Sequence, residues 1–148
     1  MSEKLAHQRA LDFVLEALEA AGLRAEAAPQ GLPADAVIAG RAGRSVLVRI
    51  LVRAGPHQRG GTGALGLHWM LRETPAEFVA LVDLSRRQGW LLPTADFEER
   101  ARALSGGRFH LDWIVAPLTN RRSKVADEHE FEGYAFERAL PQLARRLA

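Results

Sequence analysis

Apolar residues near the start of the chain recur at intervals of three and four. Leu11, Val14, Leu15 and Leu18 fall on one face, with Glu16 and Glu19 off it. This periodicity predicts a helix over 3–21, with Ser2 as its cap and Gly22 as its stop. A weakly alternating segment, 23–27, reads as a short strand, and Pro29-Gln30-Gly31-Leu32-Pro33 as a loop. From Asp35 onward the period changes to two. Residues 36–39 are a short apolar strand, 40–43 a turn, and 45–53 the clearest strand in the chain. One face of that strand carries Val46, Val48, Ile50 and Val52, and the other Leu47, Arg49, Leu51 and Arg53.

The glycine-rich stretch 54–63 reads as a loop and 65–71 as a strand. The near-continuous apolar run 78–84 reads as a strand buried on both faces, paired with 89–92 across the turn Ser85-Arg86-Arg87-Gln88. Thr94 is expected to cap a helix running to about Leu104 and ending at Gly106-Gly107, with Asp96, Glu98 and Glu99 in its first turn. A last strand covers 109–115. A final helix covers 131–147, with Phe136, Leu140, Leu143 and Leu147 as its stripe and Pro141 expected to kink or split it. No repeat and no linker interrupts the order, so 1–148 reads as a single α/β domain.

Composition narrows the function classes. An apolar fraction of 47% and a charged fraction of 26% exclude a disordered or fibrous chain. The absence of cysteine excludes disulfides, thiolate metal sites and a cysteine nucleophile. No apolar run reaches the roughly 20 residues of a membrane helix. The polar start Met1-Ser2-Glu3-Lys4 does not read as a signal peptide, so no membrane association and a cytoplasmic address are expected.

Net charge is +2, yet 18 of the 20 Lys and Arg residues are arginine. Between Asp35 and Glu73 there is no acid, whereas Arg41, Arg44, Arg49, Arg53, Arg59 and Arg72 all lie there. A local field of that sign attracts polyanions. The plain alternative is an arginine-rich composition that only solvates a surface. A second basic cluster, Arg121-Arg122-Ser123-Lys124, runs into Asp127-Glu128-His129-Glu130 and is expected to neutralise itself.

Several chemistries fail on spacing. Gly61-Thr62-Gly63-Ala64-Leu65-Gly66 matches a dinucleotide fingerprint, but no strand leads directly into it and no full helix fits before Phe78. His7, His57, His68, His110 and His129 show no helical zinc spacing. Ser2, Ser45, Ser85, Ser105 and Ser123 lack a nucleophile-elbow context. Trp69, Trp90 and Trp113 fall in expected strands and read as core or interface rather than as base-stacking platforms. Outside expected helix surfaces the carboxylates of interest are Asp35, Asp83 and Asp112.

The order of features is more telling. A helix ends in Leu18-x-x-x-Gly22; then come Pro33-Ala34-Asp35 and Val46-Leu47-Val48-Arg49. A glycine-rich loop, the Trp69 strand, Phe78-Val79-Ala80-Leu81-Val82-Asp83-Leu84 and Gly89-Trp90-Leu91-Leu92-Pro93 follow. From about residue 5 to 140, this order resembles the restriction-endonuclease-like, or PD-(D/E)XK, domains of small bacterial proteins of unknown function. The resemblance implies a central mixed β-sheet of about five to seven strands flanked by helices. In that family an aspartate on one strand, and an acid two residues before a lysine on the next, hold a divalent ion that activates water. The resemblance places the aspartate at Asp35, the second acid at Leu47 and the lysine at Arg49. The glutamate that many relatives carry on the first helix falls near Leu11, with Asp12 adjacent.

Three functions stay open. The first is a non-catalytic nuclease-fold protein that binds DNA or RNA through Arg41, Arg44, Arg49, Arg53 and Arg59 and needs no cofactor. Arg49 has a second reading, as a structural salt bridge to Asp35. The second function is an active nuclease with a rearranged site, in which Asp35 joins Asp12 or Asp83 around Mg²⁺ or Mn²⁺. The third is a protein-interaction module or homodimer that uses strand edges and the last helix and binds no nucleic acid. Leu47 and Arg49 tip the expectation away from an enzyme, because arginine does not transfer protons near neutral pH.

Overall fold

The computed structural model describes residues 2–58, 65–116 and 125–147. In chain order the elements are α1 (Glu3–Ala20), β1 (Ala25–Ala27), β2 (Ala36–Ala39), β3 (Ser45–Arg53), β4 (His57–Gln58) and β5 (Leu65–Arg72). They continue with β6 (Phe78–Asp83), β7 (Gln88–Pro93), α2 (Thr94–Arg100), β8 (Arg102–Leu104), β9 (Arg108–Ala116), β10 (Ala126–Asp127) and α3 (Phe136–Leu147). Short 3₁₀ segments lie at Arg41–Gly43 and Glu128–Tyr134.

The ends of α1 form as the sequence predicts. The Leu5 N–H donates to Ser2 Oγ at 3.1 Å. At the other end Gly22 adopts φ +89°, and the N–H groups of Gly22 and Leu23 donate to Glu19 O and Leu18 O, each at 2.9 Å. This left-handed stop satisfies orphan carbonyls and buries Leu18 against Leu23.

The described strands divide between two sheets. The first has the order β1-β2-β3-β6-β7 and is mixed, with β3 and β6 parallel and the other pairs antiparallel. The second has the order β10-β9-β5-β4, with β8 also paired to β9. The mixed α/β sheet is therefore present. The strands expected at 65–71 and 109–115 pair with each other outside it, because β5 and β9 match over their whole length.

Alternation along the first sheet builds two cores. Val46, Val48, Ile50, Ala80, Val82 and Leu91 face α1 and α3, meeting Val14, Leu18, Phe136 and Leu140. Val79, Leu81, Trp90 and Leu92 face the second sheet, meeting Leu67, Trp69, Leu71 and Trp113. The three tryptophans are core residues, in mutual contact with ring centroids 5.0–6.3 Å apart.

Four local expectations are corrected. Thr94 does not cap α2; it is the first helical residue, and its hydroxyl donates to Ala76 O at 2.7 Å. That helix ends at Arg100 rather than near Leu104, because 102–104 pairs with β9 as a strand and the left-handed Gly106 and Gly107 close the hairpin. The last helix is divided at Ala135, an extended residue after the 3₁₀ segment, and not at Pro141, which α3 contains. Within the expected loop 54–63, His57 and Gln58 form an edge strand on β5.

Gly89 shows how closely α3 lies on β7. A Cβ at that position would come within 2.3 Å of the Phe136 ring. Gly89→Ala is expected to lower stability by about 1–3 kcal/mol, the usual cost of overpacking. Gly133→Ala, which meets nothing within 4 Å, serves as the control, and urea unfolding of both variants is the measurement.

Candidate nucleic-acid interface

Asp35 sits where the chain enters β2, opposite the middle of β3. Its N–H donates to Val48 O at 2.9 Å, and its Oδ2 accepts from Ile50 N–H at 2.8 Å. The carboxylate thus continues the ladder on β3 where the Pro33-Ala34 backbone turns away. Its other oxygen, Oδ1, faces the His7 imidazole, with Nε2 at 3.2 Å, and the Arg49 guanidinium, with Nη1 at 3.6 Å. The Arg49–Asp35 pair read from the sequence is therefore formed. Its side chains are 38% and 16% exposed, which leaves it partly open to solvent.

His7 was missed as a neighbour of Asp35, although its place on α1 carried a signal. It lies four residues before Leu11, on the stripe that continues through Val14 and Leu18. Leu11, the residue near the helix position suggested by the resemblance, is buried in the core. Asp12 faces elsewhere, accepting from Gln8 Nε2 at 3.0 Å and lining a cavity of about 340 Å³ with Arg9, Glu16 and Arg87.

Asp83 is also not brought to Asp35. It is paired in register with Arg53, whereas Asp35 lies beside Arg49, an offset of about 13 Å along the strands. Asp83 is fully buried and accepts from Ser85 N–H, Ser85 Oγ and Arg86 Nε, the last at 2.6 Å. Arg86 in turn reaches both oxygens of Glu128 at 2.9 and 2.6 Å, and Glu128 accepts from Trp113 Nε1. The bonds to Glu128, opposed by desolvation and reinforced by Asp83, raise the pKa of Arg86. This network ties the β6–β7 turn to the 3₁₀ segment.

The donors around Asp35 do not fit a divalent cation. Such ions recruit several oxygen ligands. Here one carboxylate is shared among a backbone N–H, an imidazole and a guanidinium. Among the described residues no group of three His, Cys, Asp or Glu side chains is placed to hold a metal. Leu47 is half-buried on the same strand face as Arg49. Glu77, whose N–H donates to Leu47 O at 3.0 Å, is carried by the β3–β6 pairing next to Leu47.

The arginines are spread along β3 rather than gathered. Arg41 and Arg44 are exposed at the turn before it, and Arg53 lies at its far end, about 30 Å from Arg44 for an extended strand. Arg49 lies between them on Asp35. Arg53 is half-buried, and its Nε has no hydrogen-bond partner among the described residues. Arg59 and the cluster at 121–124 lie outside the described residues, as does most of the glycine fingerprint.

The mixed five-stranded sheet with the first helix packed on it gives the chain a restriction-endonuclease-like fold. It superimposes on the bacterial homing endonuclease I-Ssp6803I with a TM-score of 0.63 at 17% identity, covering 99% of this chain and 94% of that one. A Holliday junction resolvase from the archaeal hyperthermophile Archaeoglobus fulgidus gives a TM-score of 0.44 at 19% identity, over 67% of this chain and 84% of that one. No protein-family model and no curated protein matches the sequence. No helix among the described residues is long and apolar enough to cross a membrane.

Two substitutions separate the carboxylate networks. Arg86→Met leaves Asp83 buried without its cation and is expected to cost about 2–4 kcal/mol, lower than for a fully buried pair because a third of Arg86 is exposed. Asp35→Ala orphans the Ile50 N–H and is expected to cost about 1–3 kcal/mol. Denaturant midpoints at constant m-value test both.

Proposed function

We propose that this protein binds nucleic acid through its arginines and does not cleave it. The observation that carries this reading is the state of Asp35, whose carboxylate is held by Ile50 N–H, His7 and Arg49. The resemblance puts the second acid and the lysine of the nuclease motif at Leu47 and Arg49. An apolar side chain supplies no ligand, and a guanidinium neutralises phosphate without transferring a proton near neutral pH. The fold shared with a homing endonuclease favours nucleic acid over other polyanions as the partner.

In this reading Arg41 and Arg44 at one end of β3, and Arg53 at the other, contact phosphates, and Arg59, outside the described residues, is a further candidate contact. Arg49 is divided between Asp35 and the ligand. Such contacts carry affinity and little sequence information, and they release counterions.

Fluorescence anisotropy of a labelled duplex and a labelled single strand, at two salt concentrations, tests the proposal. Expected are binding that weakens steeply with salt and weaker binding by Arg53→Gln. The same samples with Mg²⁺ or Mn²⁺ are expected to show intact strands on a denaturing gel. Metal-dependent nicking that disappears in Asp35→Ala or Glu77→Ala would overturn the non-cleaving half. Absence of binding at low salt would overturn the whole reading and favour a protein partner.

A further inference from the structure

The outer face of the second sheet belongs to neither core. Alternation along β5 turns Leu67, Trp69 and Leu71 inward, where they are buried, and leaves His68, Met70 and Arg72 exposed. The β5–β9 register sets His68 beside Asp112, Met70 beside His110 and Arg72 beside Arg108. β8 adds Arg102 next to His110, and β4 sets His57 opposite Gly66. Cross-strand neighbours on one face stand about 5 Å apart, so these side chains make one continuous surface. Three imidazoles cross it in a row, with centroids 6.4 Å apart between His57 and His68 and 5.8 Å between His68 and His110. Arg53, at the end of β3 in the first sheet, lies near enough to act electrostatically on His68. Asp112 is the carboxylate that the register places on this face.

Charge and shape together indicate an occupant. Arg53, Arg72, Arg102 and Arg108 keep their charge at any accessible pH and suit phosphates. The imidazole faces and Met70, which is 41% exposed, offer flat and apolar contacts to bases. A sheet presenting rings between cations is a platform for unstacked bases, whereas a duplex hides its base faces. At the β8–β9 side a cavity of about 340 Å³, lined in part by Arg100, Arg102, His110 and Phe131, adds a concave end.

Resting on the nucleic-acid reading above, we infer that the outer face of β4, β5, β9 and β8 is the docking surface for single-stranded nucleic acid. Arg53, Arg72 and Arg102 hold its phosphates, and His68 and His110 carry its bases. The same geometry makes binding stronger in acid. Arg102 Nη2 lies 3.3 Å from His110 Nδ1. A guanidinium only donates, so Nδ1 accepts, and the contact holds Arg102 beside the imidazole row.

For His68, desolvation first, then the positive neighbours Arg53, His110 and His57, lower the pKa, with Asp112 opposing. In the free protein, stability from the neutral ring is present above the ordinary imidazole range and is lost as pH falls through the lowered value. A bound phosphate offsets the part of the shift that comes from those positive neighbours, so binding takes up protons. Arg100, Arg102, Arg72 and Arg108 are the remaining charged groups of the face and its adjoining cavity.

The test is anisotropy with the full chain and one labelled oligonucleotide, single-stranded and as its duplex, at about pH 5.5 and about pH 8. Expected is tighter binding of the single strand, strengthening by about tenfold per pH unit for each proton taken up. Arg72→Gln with Arg102→Gln is expected to reduce the salt slope by about 0.7 per arginine. His68→Asn is expected to flatten the pH dependence. Tighter binding of the duplex, an unchanged salt slope in the arginine pair, or an unchanged pH dependence in His68→Asn overturns this surface and leaves the nucleic-acid reading standing. No binding of wild type to either strand form at low salt overturns that reading itself. Histidine ring signals of the wild type give a readout that needs no variant. The oligonucleotide is expected to move His57, His68 and His110 and leave His129 in place; unmoved signals for all three overturn the proposal.

Discussion

Burial of both faces of β6 and β7 is the constraint from which the rest of the architecture follows. Ala80, Val82 and Leu91 point to the helices, and Val79, Leu81, Trp90 and Leu92 to the second sheet. A slip of one residue in either strand would exchange the two sets and fit neither core. With the register held, β3 lies parallel to β6 and Arg49 alternates with the inward-facing Val48 and Ile50. The same register brings Arg53 to the border of the second sheet. The positions of Arg49, Arg53 and Asp83 are thus tied to apolar packing.

Asp35 illustrates how a carboxylate at the entry to a strand can serve the backbone. Its Oδ2 replaces a ladder carbonyl for Ile50, and its Oδ1 compensates Arg49 and meets the His7 ring. Charge-assisted bonds of this type are stronger than neutral ones. They also occupy the lone pairs a cation would need. Asp83 shows the same principle more fully, since a buried carboxylate is tolerable only with its donors and its arginine in place. Both aspartates stand out in the sequence as carboxylates outside the expected helix surfaces. Whether such an acid is a ligand or a brace is decided by which donors surround it.

The candidate nucleic-acid surface was legible only as charge. The acid-free window from Asp35 to Glu73 announced a positive field, but five of its arginines had been joined into one face by their closeness in sequence. An extended strand separates residues by about 3.3 Å each, so Arg44 and Arg53 stand at opposite ends of β3. The histidines His57, His68 and His110 had no sequence pattern at all. Their row exists because β4, β5 and β9 are neighbours in the second sheet, and pairings between residues some forty positions apart leave no local trace. His7 is the intermediate case. Helical periodicity put it on the buried stripe, but nothing in that stripe pointed to Asp35.

Local chemistry by itself determined the elements whose partners are close in the chain. The capped helix with its glycine stop, the alternating strand 45–53, the doubly buried strand 78–83 and the hairpin that follows it were all readable, because short-range hydrogen bonds and side-chain period specify them. Tertiary structure alone decided the rest. Residues 102–104 became a strand because β9 offered an edge, Thr94 gave its hydroxyl to Ala76 rather than to its helix, and α3 began at Phe136 where Ala135 bridges to Trp90. The division into two sheets, the company of Asp35 and the histidine row share one physical cause. Each depends on contacts between residues distant in sequence, whose energies appear only once the chain has folded.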